Sequence, residues 1–341
     1  MRELDGSEAG GQFVRSALAL AALEDDPVRI ENVRGNRSTP GLRPQHLAAL
    51  ETMASVCDAD VTGAEVGAEA ITFEPDPGSI PGGEYAVDIG TAGSITLLFQ
   101  TLVPLATRLD TPLSVTVTGG TDVKWSPPLD YVRYVTLPLL ARYGIEAEVE
   151  LERRGFYPAG GGEATLHLSP SSLAPIELEE RDELEAVRVY STEANALEDS
   201  DVAKRQTEGA LERLATDEYG LEVRDRVETT AASDCPGSAL VVVIEGGRTR
   251  AGFTALGERG KPAERVGEDV ADAANRFLEG DAPVDRHMGD QLLVFLALAG
   301  GRLTVPAITD HVETSLELLA SFEYDVGLED ETTVVARDRP E

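Results

Sequence analysis

Cysteine and lysine are nearly missing from this 341-residue chain. The two cysteines, Cys57 and Cys235, cannot build a disulfide framework or a sulfur-rich zinc cluster, and both read as small buried apolar residues. Only three lysines occur, Lys124, Lys204 and Lys261, and aromatics make up 5% of the residues. No apolar run reaches the roughly 18 residues of a membrane span. The opening MRELDGSEAGG lacks the basic-then-apolar pattern of a secretory signal, so the expectation is a cytoplasmic protein. Acidic residues, by contrast, abound: 62 Asp plus Glu against 29 Lys plus Arg give a formal net charge of −33. They are spread along the chain rather than gathered in a tail. Such a surface suits concentrated salt, where the Debye length shrinks to about 3 Å at 1 M, and it points to a halophilic source. A nucleic acid would be repelled by it except at a local basic island.

The 42% hydrophobic content excludes a wholly disordered chain, and the length suits two domains or one large domain with an insertion. Glycine turns alternate with apolar helical segments. A helix is expected over 12–23, a strand over 28–33, a helix over 45–58, and short strands near 65–66 and 70–73. The pattern recurs as a strand over 85–89, a helix over 94–106, a strand over 113–117 and a helix over 129–143. The repetition implies duplicated α/β modules, helices packed on sheet. At 169–181 the composition turns Ser/Pro-rich and then strongly acidic, as at a boundary. The expected organisation is therefore α/β throughout: a large discontinuous domain, 1–179 plus 259–341, carrying a smaller inserted α/β domain at 180–258.

Four stretches carry candidate chemistry. In Glu8-Ala-Gly-Gly-Gln12-Phe-Val-Arg15, glycines precede a helix whose free N–H groups suit phosphate. Glu8 there is a candidate ligand for a divalent cation, and Arg15 a candidate anion contact. A tight turn with a solvated Glu and Arg reads the same segment without function. The run from Arg34 through Arg37 and Arg43 to Gln45 and His46 is a basic island containing no acid, stiffened by proline. Gly155 to Gly162, with three consecutive glycines, allows close approach of backbone or ligand, and reads by itself as structural. Asp285-Arg-His287-Met-Gly-Asp290-Gln291 leads into an apolar helix, with Asp290 and Gln291 on the His287 face. A neutral imidazole at a phosphate site is a nucleophile or a general base. His167 reads as a surface or edge-strand residue, and His311 as the start of an ordinary amphipathic helix.

Taken in order, EAGGQFVRSALALAAL, RGNRSTPGLRPQH, DIGTAGSITLLFQT, GGTDVKWSPPLDY, RGFYPAGGGE and RHMGDQLLVFLALAGG resemble the motifs of the RNA 3′-terminal phosphate cyclase family over essentially the whole chain. The resemblance implies a ligase that uses ATP and a divalent cation, Mg²⁺ or Mn²⁺, to turn an RNA 3′-phosphate into a 2′,3′-cyclic phosphate. It puts His287 at the nucleophile position, as the site of a covalent histidine–AMP adduct. It assigns Gln100, Pro262, Ala263, Glu264, Arg265, Val266, Glu8, Arg15, Asp290 and Gln291 to ATP, with Pro128 and Tyr131 flanking the adenine and Glu8 assisting the metal. It assigns Arg34, Arg37, Arg43, Gln45 and His46 to the RNA terminal phosphate. Ala9 departs from the family's glycine run, and would be strained by about 1 kcal/mol if that position needs a positive φ. Two other readings stand beside the enzyme. A non-catalytic ribosome-biogenesis scaffold of the same fold would lack the nucleophilic histidine. A transferase built like the enolpyruvyl transferases would leave the His287 segment without a role. DNA in place of RNA stays open, because no residue pattern reads a 2′-OH.

Overall fold

The computed structural model describes residues 1–78 and 80–337. Three times the chain runs strand, helix, strand, helix, strand, strand. The first module holds β1 (Arg2–Asp5), α1 (Gly11–Glu24), β2 (Val28–Glu31), α2 (Pro44–Val56), β3 (Asp60–Thr62) and β4 (Ile71–Glu74). The second holds β5 (Gly83–Asp88), α3 (Ile95–Leu102), β6 (Leu113–Gly119), a helix assembled from α4 (Leu129–Tyr131), a π-helical stretch (Val132–Thr136) and α5 (Leu137–Ala141), then β7 (Ala147–Arg153) and β8 (Gly162–Leu168). The third begins with β9 (Ile176–Leu178) and is interrupted by β10 (Ala186–Ala194), α6 (Val202–Arg213), α7 (Thr216–Tyr219), β11 (Glu222–Ala231), β12 (Ser238–Gly246), β13 (Thr249–Leu256) and α8 (Ala263–Glu279). It resumes with α9 (Arg286–Ala299), β14 (Gly301–Thr304), α10 (Asp310–Ser321), β15 (Val326–Leu328) and β16 (Thr333–Ala336).

Each module forms a four-stranded sheet of one topology: β1-β2-β4-β3, β5-β6-β8-β7 and β9-β14-β16-β15. In each, the first two strands are parallel and the remaining pairs antiparallel. A parallel pair needs a crossover, and a helix supplies it. Strand β6 shows why these segments form half-buried strands. Leu113, Val115 and Val117 point into the core, while Ser114 and Thr116 pair across to His167 and Thr165 of β8. One continuous core joins the three modules through α1, α3 and α9.

The interrupting segment has its own sheet, ordered β11-β10-β12-β13. Strand β12 is buried along its whole length and serves two faces. Leu240, Val242 and Ile244 pack with α6 and α8 in a second core, whereas Val241 and Val243 join the main core. Helix α8 contributes Val270, Ala271, Ala274, Phe277 and Leu278 to that second core. A boundary at 258 leaves α8 apart from the sheet it covers, and we propose that the inserted unit continues through α8.

Several elements differ from expectation. The strand near Glu65–Val66 is instead Asp60–Thr62, and residues 65–66 lie in a turn. The helix expected over 94–106 is α-helical only to Leu102, continuing as a 3-10 helix over Val103–Arg108, with Pro104 in its first turn. Of the two alternatives for His167 the surface one holds: its side chain is 43% exposed, but β8 is not an edge strand, lying between β6 and β7, and His167 bonds Ser114 at 2.9 Å. Ala9 has a negative φ and is buried, so it carries no left-handed strain.

Arg154, next to the Gly155–Gly162 turn, sits in the interior with two carboxylates. It reaches Asp122 at 3.0 and 3.1 Å and also binds Asp130. Burial alone would lower its pKa, but the two carboxylates win and raise it. The network pins the 121–130 loop, from which the second-module helix starts. Removing one partner leaves uncompensated buried charge, so Arg154→Ala is expected to cost about 3–5 kcal/mol of unfolding free energy. Denaturant melts check this, and a loss under about 1 kcal/mol, the scale of an exposed pair, would contradict it.

Candidate active site

Helix α1 begins without a side-chain cap: Gly10 is its N-cap, and no acid stands in its first turn. Its first N–H groups are therefore free for an anion. The basic loop is drawn onto this end. Asn36 donates to the Glu8 carbonyl at 2.8 Å, and Gly35 N–H to the Gly6 carbonyl at 3.0 Å. A Cβ on Gly10 would stand 2.9 Å from an Arg37 terminal nitrogen, and one on Gly11 would stand 2.2 Å from His46 Nε2. The two glycines are thus the seats of Arg37 and His46. Arg43 N–H donates to His46 Nδ1 at 3.2 Å, which leaves the His46 proton on Nε2, facing Gly11.

His46 is buried. That burial, followed by the charges of Arg15, Arg34 and Arg43, pushes its pKa down to about 3. Arg15 is buried as well, and desolvation lowers its pKa to about 10. Among the described residues, the guanidinium groups of Arg15, Arg37 and Arg43 make no hydrogen bond or ion pair. Most arginines in this acidic chain are paired, so three unpaired ones around a free helix end mark an anion site. Arg34 is partly committed: one terminal nitrogen donates to the carbonyls of Thr39 and Gly41 and braces the loop. Gln45 faces the next glycine turn, its oxygen accepting from Ser94 N–H at 3.3 Å.

The other wall is the start of α9. Asp285 caps it, accepting from the N–H groups of His287 at 2.9 Å and Met288 at 3.1 Å. His287 is in the first turn and exposed, with Asp290 and Gln291 one turn on. A cleft between α1, α3 and α9 is lined by Gln12, Arg15, Gln100, Asp290 and Gln291. A smaller chamber behind it shares Gln100 and Gln291 and reaches Thr136. Among the described residues, Gln100 Oε1, Asp290 Oδ1 and Thr136 Oγ1 are buried without partners. Orphaned buried atoms beside an unpaired arginine fit a polar ligand. Burial raises the Asp290 pKa to about 6.

His287 stands one turn before Asp290 without itself lining this cleft, the residues from Arg34 to His46 lie beside it at the start of α1, and other expected residues lie farther off. Glu8 is exposed at the edge of the α1 turn. Among the described residues, no three His, Cys, Asp or Glu side chains converge to hold a metal. One exposed carboxylate fits a divalent cation that arrives on phosphate oxygens, rather than a cage of protein ligands. Pro262 caps α8, and the segment it opens faces α6: Glu264 is held by Arg205 at 2.7 and 2.9 Å, and Arg265 pairs with Glu268 and Asp269. Ala263 and Val266 are buried. None of these five residues lines the cleft. Pro128 starts the second-module helix. Tyr131, expected beside a base, is fully buried, its hydroxyl donating to Asp285 and its ring set edge-on to His287 at 6.2 Å. The triple glycine serves packing: a Cβ on Gly160 would stand 2.8 Å from Ala92 Cα.

Two basic residues at the site escaped the sequence reading. Burial lowers the His311 pKa, and the charges of Arg37, His287, Arg15 and Arg286 lower it further, so His311 faces the same cluster. Arg286 is exposed and without a partner among the described residues. Its adjacency to His287 was a usable signal. His311 had none, because only the packing of α10 on α9 and α1 brings it there.

A family model described as RNA 3′-terminal phosphate cyclase matches residues 6–325. An RNA 3′-terminal phosphate cyclase of Halobacterium salinarum (strain R1) is 47% identical over 338 residues, covering 96% of this chain and 97% of that protein. One from Pyrococcus furiosus is 42% identical over 322 residues, covering 94% and 92%. Among solved structures, the enolpyruvyl transferase NikO from Streptomyces tendae matches at 18% identity and a TM-score of 0.28, covering 48% of this chain and 30% of that one. That likeness is too slight to bear on the fold.

The depressed His46 pKa carries a sign. The imidazole is neutral in the folded chain but takes a proton near pH 6.5 when unfolded, so the unfolded state binds more protons below that value. Its stabilisation is complete above about pH 6.5 and declines as the pH falls toward 3. Between about pH 6 and 4, the stability of the wild type is expected to fall more steeply than that of His46→Gln, by up to about 1.4 kcal/mol per pH unit. Parallel stability–pH curves from urea melts would contradict the assignment.

Proposed function

This chain belongs to the RNA 3′-terminal phosphate cyclase family of ATP-dependent, ligase-type enzymes, and from that premise we propose that it cyclises RNA 3′-phosphate ends through a covalent His287–AMP adduct. The observation that carries this reading is the placement of an exposed His287 in the first turn of α9, one turn before Asp290 and Gln291 of the cleft, with His311 close enough to feel the charges of His287, Arg15 and Arg37 together.

In the first displacement the imidazole nitrogen attacks the α-phosphorus of ATP. The N–P bond forms as the P–O bond to pyrophosphate breaks. Arg15 and the N–H groups of α1 offset charge on the phosphate oxygens, while Gln100, Asp290 and Gln291 offer hydrogen bonds within the cleft. In the second displacement an oxygen of the RNA 3′-phosphate takes the adenylyl group and the imidazole departs. In the third, the ribose 2′-OH attacks the terminal phosphorus and loses its proton, the new P–O bond forms, and AMP leaves. Covalent catalysis thus divides one hard condensation into easier displacements.

The RNA phosphate is assigned to Arg37, Arg43 and His46, with Arg34 and Gln45 holding the loop and the α2 start in place. A neutral His46 donates from Nε2 without adding a charge that would have to be buried. A divalent cation on the phosphates, next to Glu8, would neutralise their charge.

Two variants test the reading. His287→Ala is expected to lose cyclisation altogether, with its melting behaviour intact. Arg37→Ala is expected to keep adduct formation while transfer to RNA falls about 10- to 100-fold, the value of one charge-assisted hydrogen bond. Full cyclisation by His287→Ala would sink the mechanism. Equal loss of both steps in Arg37→Ala would move that residue to the ATP side.

A further inference from the structure

Asp285 does more than a helix cap requires. Besides the N–H groups of His287 and Met288, its carboxylate accepts from the Tyr131 hydroxyl at 2.8 and 2.9 Å, and from Gly252 N–H at 2.8 Å. Its exposure is 4%. The donors come from three parts of the chain: the first turn of α9, the second-module helix, and strand β13 of the inserted unit.

A neutral serine or threonine caps a helix without the cost of burying a charge. Asp285 is a buried carboxylate whose roughly four acceptor positions are matched by four donor groups. What a serine cap lacks is the link to Tyr131 and β13. The fit at that link is close. A Cβ on Gly252 would stand 2.6 Å from the Tyr131 ring and 2.6 Å from Val135, so the ring lies directly on the strand's backbone. Arg250, two residues before it on β13, donates to the Tyr134 carbonyl at 2.7 Å and ties the strand to the π-helical stretch. The Tyr131 ring then meets His287 edge-on, at 80° between ring planes.

We propose that Asp285 is a positioning residue for His287, and that β13 of the inserted unit belongs to the positioning device. The inference rests on the reading of His287 as the nucleophile. Strand β13 and Tyr131 fix the Asp285 carboxylate, and the carboxylate fixes the turn from which the imidazole projects. The inserted unit thereby takes part in the adenylylation step through β13.

The test measures covalent labelling by ATP carrying label at the α-phosphate, for the wild type, Asp285→Asn and Tyr131→Phe. Asparagine keeps the shape and a cap acceptor, but it sets an N–H donor against a second donor at Tyr131 or Gly252. The Asp285→Asn rate of adduct formation at saturating ATP is expected to fall about 100-fold, the effect of misplacing a reacting group by about 1 Å, with KM for ATP little changed. Tyr131→Phe removes a single hydroxyl and is expected to lose about tenfold, again in rate rather than in KM. If Asp285→Asn does not fold, Tyr131→Phe decides the matter. Wild-type labelling rates in the folded variants, or a raised KM with the rate intact, would overturn the inference. A folded wild type that takes no label would overturn instead the nucleophile reading beneath it.

Discussion

The contact on which the site depends is the seating of Arg37 and His46 on Gly10 and Gly11. Cations do not gather without reason, least of all among unpaired arginines. Here the backbone ties from Asn36 to Glu8 and from Gly35 to Gly6 hold the loop down, and the missing Cβ atoms let the side chains reach the free end of α1. Burial then keeps His46 neutral, which limits the mutual repulsion of the cluster. The result is a positive pocket in a chain of net charge −33. In concentrated salt the long-range repulsion between that surface and a polyanion is screened, and short-range contacts at the pocket are what remain.

The module architecture supplies the second wall. Three sheets of one topology put a helix after each first strand, and α1, α3 and α9 hold equivalent places in their modules. The starts of α1 and α9 frame the site, and α3 contributes Gln100 between them. The interruption falls between β9 and α9, next to the helix that carries His287. An insertion at that point bears directly on the helix that carries His287, and the bond from Gly252 to Asp285 makes the connection physical.

Much of this was legible in the sequence because its signals are local. Glycines before an apolar run announce a free helix start, and an acid-free run from Arg34 to His46 stands out against a carboxylate background. The alternation of Leu113, Val115 and Val117 marks a half-buried strand. What stayed hidden depends on distant packing. His311 looks ordinary in sequence, and nothing local ties Tyr131 to Asp285, 154 residues on; each takes its place from contacts far along the chain. Helix α8 resembles the module helices in its residue pattern, yet its apolar face covers the inserted sheet. The pairing of Glu264 with Arg205 of α6, 59 residues away in sequence, is likewise invisible locally, and residues 262–266 lie outside the cleft lining.

The central claim is that one imidazole carries the adenylyl group. Its most direct test is to label the folded protein in high salt with ATP bearing label at the α-phosphate, digest it, and locate the label by peptide mapping. The account predicts a single acid-labile adduct on the peptide containing His287. An adduct on any other residue, or cyclisation of RNA without an adduct on the protein, would contradict it.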